Sequence, residues 1–310
     1  MDNEQARLVE IIRRGSVPME PLPPPPLPPE WETLVYTAPG PAAPVFPAPI
    51  RAVLFDVYGT LFCSAAGDIG TTGGSPRPGG GLRDLVREFA PALTGEKLRD
   101  YFQNRVREIH GELSARTPCP EVRVEEIWAR FLRENGGGKQ RARELALRYE
   151  LAVNPVYPMP GAGEAIAKLR KARLVLGIIS NAQFFTPLLF AAFFGGLPEE
   201  LGFDPALLVY SFEMGEAKPG ARLFARAADR LAEQGIRAEQ CLFVGNDMLT
   251  DIYGAASAGF QGVLFAGDRR SLRLREGDGR IRGLKPSRII RRLADLFPLA
   301  VNNSSPQADD

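Results

Sequence analysis

Val53-Leu54-Phe55-Asp56-Val57-Tyr58-Gly59-Thr60-Leu61 is a short apolar run of β-formers that ends on one carboxylate and a Gly-Thr turn. Ala52 to Phe55 reads as a buried parallel strand, where both faces are covered and polar alternation is lost. Asp56 then falls at the carboxyl end of that strand, where open α/β sheets place their ligand crevice. Gly59 permits a tight turn, and Thr60 offers a hydroxyl and an N–H to an anion. A structural strand that happens to end in an Asp-containing turn would read the same way, so the remainder of the chain has to decide.

Three later stretches repeat the pattern. Leu174-Val175-Leu176-Gly177-Ile178-Ile179-Ser180-Asn181 is a second buried strand, ending in a hydroxyl and an amide. Glu216-Ala217-Lys218-Pro219 follows a third, Leu207 to Phe212, and supplies one lysine ahead of a helix. Cys241-Leu242-Phe243-Val244-Gly245-Asn246-Asp247-Met248-Leu249-Thr250-Asp251 is a fourth, ending in two carboxylates. In kind and in order these stretches resemble the four motifs of the haloacid-dehalogenase-like (HAD) hydrolase superfamily, over residues 51 to about 265. The resemblance implies a doubly wound parallel sheet, a Rossmannoid α/β core, with a smaller all-helical cap domain.

Composition sets wide bounds. The 310 residues suffice for one large domain or two modest ones, and 45% hydrophobic with 24% charged residues is ordinary for a globular chain. A formal net charge of +1 gives no bulk attraction to nucleic acid or to a membrane surface. Cys63, Cys119 and Cys241 match neither a disulfide framework nor a zinc pattern, so reduced thiols in a cytoplasmic protein are expected. The first residues are charged and lack an apolar signal core, and the most apolar stretch, Phe184 to Leu197, is interrupted by Pro187.

In chain order, residues 1–50 read as a Pro-rich N-terminal arm. A short helical stripe of Leu8, Ile11 and Ile12 precedes the proline-dominated stretch from Pro18 to Pro49. That stretch favours extended polyproline II, and a spacer or an arm lying on the domain is preferred to a ligand for an aromatic-lined groove. The core takes residues 51–62 and 157–300. Between its halves, residues 63–156 form the cap. They open with a Gly-, Ser- and Pro-rich loop from Ala65 to Gly81, expected to move over the crevice, and continue with four helical stripes from Leu82 to Val153. Further helices are predicted over Gly161–Ala172, Ala221–Gln234, Leu249–Ala258 and Arg288–Phe297, with a fifth strand at Gly262–Phe265 and a flexible tail at 301–310.

Each motif residue has a chemical task. Asp56 is the candidate nucleophile, since a carboxylate can attack phosphorus or carbon to form a covalent intermediate. Ser180 and Asn181 can donate to a phosphoryl or carboxylate oxygen, and Lys218 would offset the charge of Asp56 and substrate. Asp247 and Asp251, four residues apart at the start of a helix, would repel Asp56 unless a cation sat among them. Oxygen-only ligands without His or Cys select a hard ion, so Mg²⁺ is the expected cofactor. Its ligands would be Asp56, Asp247, Asp251 and the carbonyl of Tyr58.

Tyr58 departs from the pattern of HAD phosphatases, which the resemblance gives a second Asp at that position to protonate the leaving alcohol. A phenol, with pKa about 10, is a poor proton donor at neutral pH. HAD dehalogenases share the Asp-x-Tyr-Gly-Thr form, so the first motif points toward carbon–halogen cleavage. The acidic pair points the other way, and Phe224 lacks the hydroxyl that dehalogenases carry six residues past the lysine. The balance favours a Mg²⁺-dependent phosphomonoesterase acting on a small, anionic phosphorylated metabolite. A metal-independent 2-haloacid dehalogenase-like enzyme and a non-catalytic binding protein remain as alternatives. His110, the only histidine, sits beside Arg105, Arg107 and Arg116. A structural role is favoured for it, with recognition of an anionic substrate by His110 and Arg116 as the second possibility.

Overall fold

The computed structural model describes residues 1–38, 46–65 and 81–301. The tail beyond residue 301 and most of the loop from Ala65 to Gly81 lie outside these residues. In chain order the elements are helix α1 (Asn3–Gly15), a 3₁₀ turn (Pro29–Leu34), and strands β1 (Val35–Tyr36), β2 (Ala52–Phe55) and β3 (Phe62–Ser64). Helices α2 (Gly81–Phe89), α3 (Gly95–Leu113), α4 (Val124–Glu134) and α5 (Ala142–Val153) follow, then β4 (Val156–Pro158), α6 (Ala162–Lys171), β5 (Val175–Ser180) and α7 (Thr186–Phe194). The remainder is β6 (Phe203–Tyr210), α8 (Ser211–Met214), α9 (Ala221–Glu233), β7 (Cys241–Gly245), α10 (Gly254–Ser257), β8 (Gln261–Phe265), β9 (Arg288–Ile290) and α11 (Leu296–Val301).

Seven strands form one parallel sheet in the order β1-β9-β8-β7-β2-β5-β6. After the edge strand β1, the chain enters this sheet near its middle at β2 and winds outward both ways, which is the doubly wound topology expected. The sidedness of β2 explains its continuous apolar run. Val53 and Phe55 pack into the large core cluster, while Ala52 and Leu54 pack into a second cluster with Leu223, Phe224 and Leu231 of α9. Both faces are dry, so period-2 alternation exists in space but not in polarity.

Residues 81–153 form helices that join the core through a two-stranded antiparallel ribbon, β3 with β4. Ser64 and Asn154 brace this neck by a hydrogen bond of 2.9 Å. An aromatic cluster fills the helical unit. Phe102 and Trp128 stack at 5.4 Å, and Tyr149 and Phe131 close on the same indole. The stretch 119–124 reaches back to the core: Ala217 N–H donates to Cys119 O, and Gln183 Nε2 donates to Val122 O. Glu121 Oε2 accepts from the Ser211 hydroxyl at 2.6 Å. These helices therefore meet the loops that follow β5 and β6.

Two sequence expectations are corrected. The proline-rich arm is not bare of regular structure: Val35–Tyr36 adds an edge strand beside β9, and Trp31 and Leu27 are buried against Met248 and Leu249. Arg288–Phe297 is not one helix but a strand between β1 and β8, a 3₁₀ turn and the start of α11. Ile289 and Ile290 are fully buried in the sheet, and that burial outweighs the local helical pattern.

Candidate active site

Strand order places the chemistry. β2 lies between β5 and β7, with Phe55 in register with Ile178 on one side and Val244 on the other. The residues that follow these three strand ends are therefore neighbours. Asp56 N–H donates to Val244 O at 2.9 Å, which fixes the first carboxylate against the fourth motif. Gly59, at φ +85°, makes the turn behind it; a Cβ there would lie 2.6 Å from Ser271 and 2.9 Å from Asn246. Gly245 likewise has no room for a side chain, because a Cβ would meet the Asp251 carboxylate at 2.4 Å.

Lys218 is the centre of the cluster. Its ammonium donates to Asp56 Oδ1 at 2.7 Å and to Asp251 Oδ1 at 2.6 Å, and all three side chains are buried. The two carboxylates are thus no further apart than those two bonds together. Ser180 Oγ donates to Asp56 Oδ1 at 3.1 Å. The Thr60 hydroxyl lies 3.1 Å from Asn246 Oδ1 and 3.4 Å from Asp56 Oδ2. Asn181 works on the backbone, accepting from Lys218 N–H at 2.7 Å and so positioning the lysine. Asp251 Oδ2 accepts from Asp247 N–H at 3.0 Å.

Burial sets the electrostatics. It lifts the Asp251 carboxyl to about 7; Lys218 opposes that rise, while Asp56 and Asp247 add to it. Burial also pushes the Lys218 ammonium toward losing its proton, but the charges of Asp251 and Asp56 outweigh that, and it stays protonated beyond its ordinary range.

Tyr58 is 3% exposed, and its hydroxyl pairs with Thr186 Oγ1 at 2.9 Å. That oxygen also accepts from Gln183 N–H, so the phenol belongs to the turn that opens α7. His110 and Arg116 do not join the cluster. The pocket is lined by Asp56, Tyr58, Asn181, Lys218, Asn246, Asp247, Thr250 and Asp251, and neither of those two residues is among them. Burial holds the His110 imidazole toward its neutral form.

Two residues that sequence reasoning missed, Arg273 and Arg275, complete the lining. Arg275 Nε and Nη2 both reach Asp247 Oδ2, at 2.9 and 2.6 Å. The segment bearing them is stitched to the fourth motif by Arg273 N–H to Asn246 O (3.0 Å), Met248 N–H to Arg273 O (2.9 Å) and Asn246 Nδ2 to Ser271 O (2.6 Å). The basic run Arg269-Arg270-Ser271-Leu272-Arg273 was the available signal, and it lies outside every motif.

Among the described residues, no group of three or more His, Cys, Asp or Glu side chains stands at metal-holding spacing. The donor chemistry nonetheless suits a hard divalent ion. Three carboxylates, Asp56, Asp247 and Asp251, share the pocket with three cations, Lys218, Arg273 and Arg275, and an anionic substrate would leave that balanced set short of positive charge.

Among known proteins, the chain is similar to a phosphoserine phosphatase of Thermus thermophilus, 33% identical over 150 residues, or 45% of this chain. That match spans 53% of the relative, so the chain matches only about half of its length. The fold is similar to the 2-haloacid dehalogenase of Pseudomonas syringae pv. Tomato DC3000, with TM-score 0.51 and 21% identity over 81% of this chain and 97% of that one. A HAD phosphatase of Thermococcus onnurineus aligns at TM-score 0.49 and 21% identity, over 80% of this chain and 96% of that one. A family model, haloacid dehalogenase-like hydrolase, matches residues 50–259. With that match running from β2 through Asp247 and Asp251, the chain belongs to the haloacid dehalogenase-like hydrolases.

Proposed function

We propose that this hydrolase is a Mg²⁺-dependent phosphomonoesterase acting on a small phosphorylated metabolite. The observation that carries the reading is the pair of further carboxylates in the pocket of Asp56: Asp251 on the same Lys218 ammonium as Asp56, and Asp247 on the Arg275 guanidinium. Carbon–halogen cleavage needs no such charge, whereas phosphoryl transfer needs a divalent cation to offset it. The similarity to a phosphoserine phosphatase supports the same reading.

Asp56 would attack phosphorus and break the ester P–O bond, the leaving alkoxide taking a proton from water to become the alcohol. A second water would then cleave the aspartyl phosphate, releasing phosphate and restoring Asp56. Lys218 offsets the charge of Asp56 and meets the equatorial oxygens, with Thr60 and Ser180 beside it. Asp56, the Tyr58 carbonyl, Asp247 and Asp251 would hold Mg²⁺, which supplies positive charge to the transferred group. Three free cysteines fit a reducing compartment and hence a cytoplasmic enzyme.

Tyr58 favours one competing reading, a dehalogenase, because no carboxyl stands at that position. Phosphate release and halide release, each with and without EDTA, separate the two. EDTA-sensitive phosphate release is expected, and EDTA-insensitive halide release would replace this assignment with dehalogenation.

A further inference from the structure

Asp247 has no lone pair to spare. An ionised carboxylate offers about four acceptor sites, two on each oxygen. Oδ1 accepts from Leu249 N–H at 2.8 Å and Thr250 N–H at 3.1 Å. Oδ2 accepts both Nε and Nη2 of Arg275, at 2.9 and 2.6 Å. All four sites are filled by N–H donors, and no metal can bind this oxygen pair until one donor leaves.

The two amides open the helical turn Met248–Tyr253 and cannot move without unwinding it. The guanidinium can move. Its side chain is 41% exposed, against 6% for Asp247, at the mouth of the pocket that Asp56 shares. The placement is also built rather than incidental. Arg275 has φ +56°, a left-handed conformation that a non-glycine residue keeps only where its surroundings impose it. The parallel bridge between Asp247 and Arg273 supplies that constraint, holding the arginine segment alongside the fourth motif.

We propose that Arg275 is a resident competitor of the divalent cation. It neutralises Asp247 in the metal-free enzyme and must swing off Oδ2 before Mg²⁺ can bind there. The inference rests on the metal-dependent reading above. A buried carboxylate without a partner is costly, so the arginine lets Asp247 exist before metal arrives, while charge-assisted bonds of this kind lower the metal's affinity. Once released, the guanidinium remains beside the pocket, where an anionic substrate could take it as a partner.

The test is Mg²⁺ binding measured by titration calorimetry on the full chain, with no substrate present. Arg275→Gln should bind Mg²⁺ about tenfold more tightly than the wild type, or better, in line with the loss of a charge-assisted bond. In an Asp247→Asn background the same substitution should change the affinity little, because the contested carboxylate charge is gone. Far-ultraviolet circular dichroism checks that each variant is folded. Equal affinities in the wild type and Arg275→Gln would overturn the competition while leaving the metal reading intact. A gain that persists undiminished in Asp247→Asn would overturn it too, by showing a general charge effect. Absence of binding in both proteins would overturn the competition together with the metal reading.

Discussion

Lys218 and Asp251 are joined at 2.6 Å in a fully buried contact, and the same ammonium holds Asp56 at 2.7 Å. One cation therefore offsets the desolvation of two carboxylates that come from different strand ends. Replacing it with an apolar side chain leaves both uncompensated. Lys218→Met should lose about 3–5 kcal/mol of stability, the range for breaking a buried pair, and should lose turnover as well. Urea denaturation reads the first effect. A variant within about 1 kcal/mol of wild type would mean that water or a counterion reaches the site freely.

The N-terminal helix is expected to matter for folding. Leu8, Val9 and Ile12 of α1 are buried, and α1 packs on both α5 of the helical unit and α7 of the core. Arg13 donates to the carbonyls of Ala191 and Ala192, and Arg143 pairs with Glu4. Each buried aliphatic side chain contributes about 1.5–3 kcal/mol, so a chain starting at Val17 should melt well below the full-length protein and bind a hydrophobic dye. Unchanged melting would make α1 an ornament of the surface.

The same helix carries a pH signature. Arg7, Arg141 and Arg148 surround Glu144, and Arg141 and Arg148 also hold Glu88. Burial pushes the Glu144 carboxyl up, but the arginines outweigh it and set it below its ordinary 4.5; for Glu88 the Arg141 bond is the main cause of the same direction. A folded-state value below the unfolded one gives stability that is complete above about 4.5 and lost as pH falls through the folded value. The melting-temperature gap between wild type and Glu144→Gln should therefore be full at neutral pH and close in acid. A gap that stays constant into acid would show that Glu144 acts by packing alone.

What could be read in advance followed from local chemistry. Strand ends such as Phe55-Asp56 and Ile179-Ser180 announce themselves, because a dry β-run must stop where a polar residue turns out. Arg275 could not be read that way. Its role arises from backbone pairing between two loops, Asn246–Met248 and Ser271–Arg273, and loop pairing leaves no period. Val35–Tyr36 was hidden for a related reason: two residues among prolines become a strand only because β9, distant in sequence, offers an open edge. At Ile289, Ile290, Leu293 and Leu296 the helical spacing is genuine, yet the sheet claims the first two as β9.

On the phosphomonoesterase reading, Tyr58 sets this chain apart from a phosphatase with a carboxyl donor. Its hydroxyl is committed to Thr186, and a phenol is in any case a weak acid at neutral pH. If nothing else protonates the leaving oxygen, turnover should depend steeply on leaving-group acidity, fast for aryl or acyl phosphates and slow for alkyl ones. Tyr58→Phe should then change turnover only a few-fold and cost about 1 kcal/mol of stability from the lost hydrogen bond. Tyr58→Asp should raise alkyl-phosphate turnover by up to ~10²-fold, the lower range for general acid catalysis, and flatten the leaving-group dependence. It would do so at a stability cost, since Thr186 loses one of its two partners and a carboxylate enters a buried position. A plot of log kcat/KM against leaving-group pKa for the three proteins decides the matter. A shallow wild-type slope that steepens in Tyr58→Phe would make the phenol the acid after all, and the bond to Thr186 the route by which its proton is replaced.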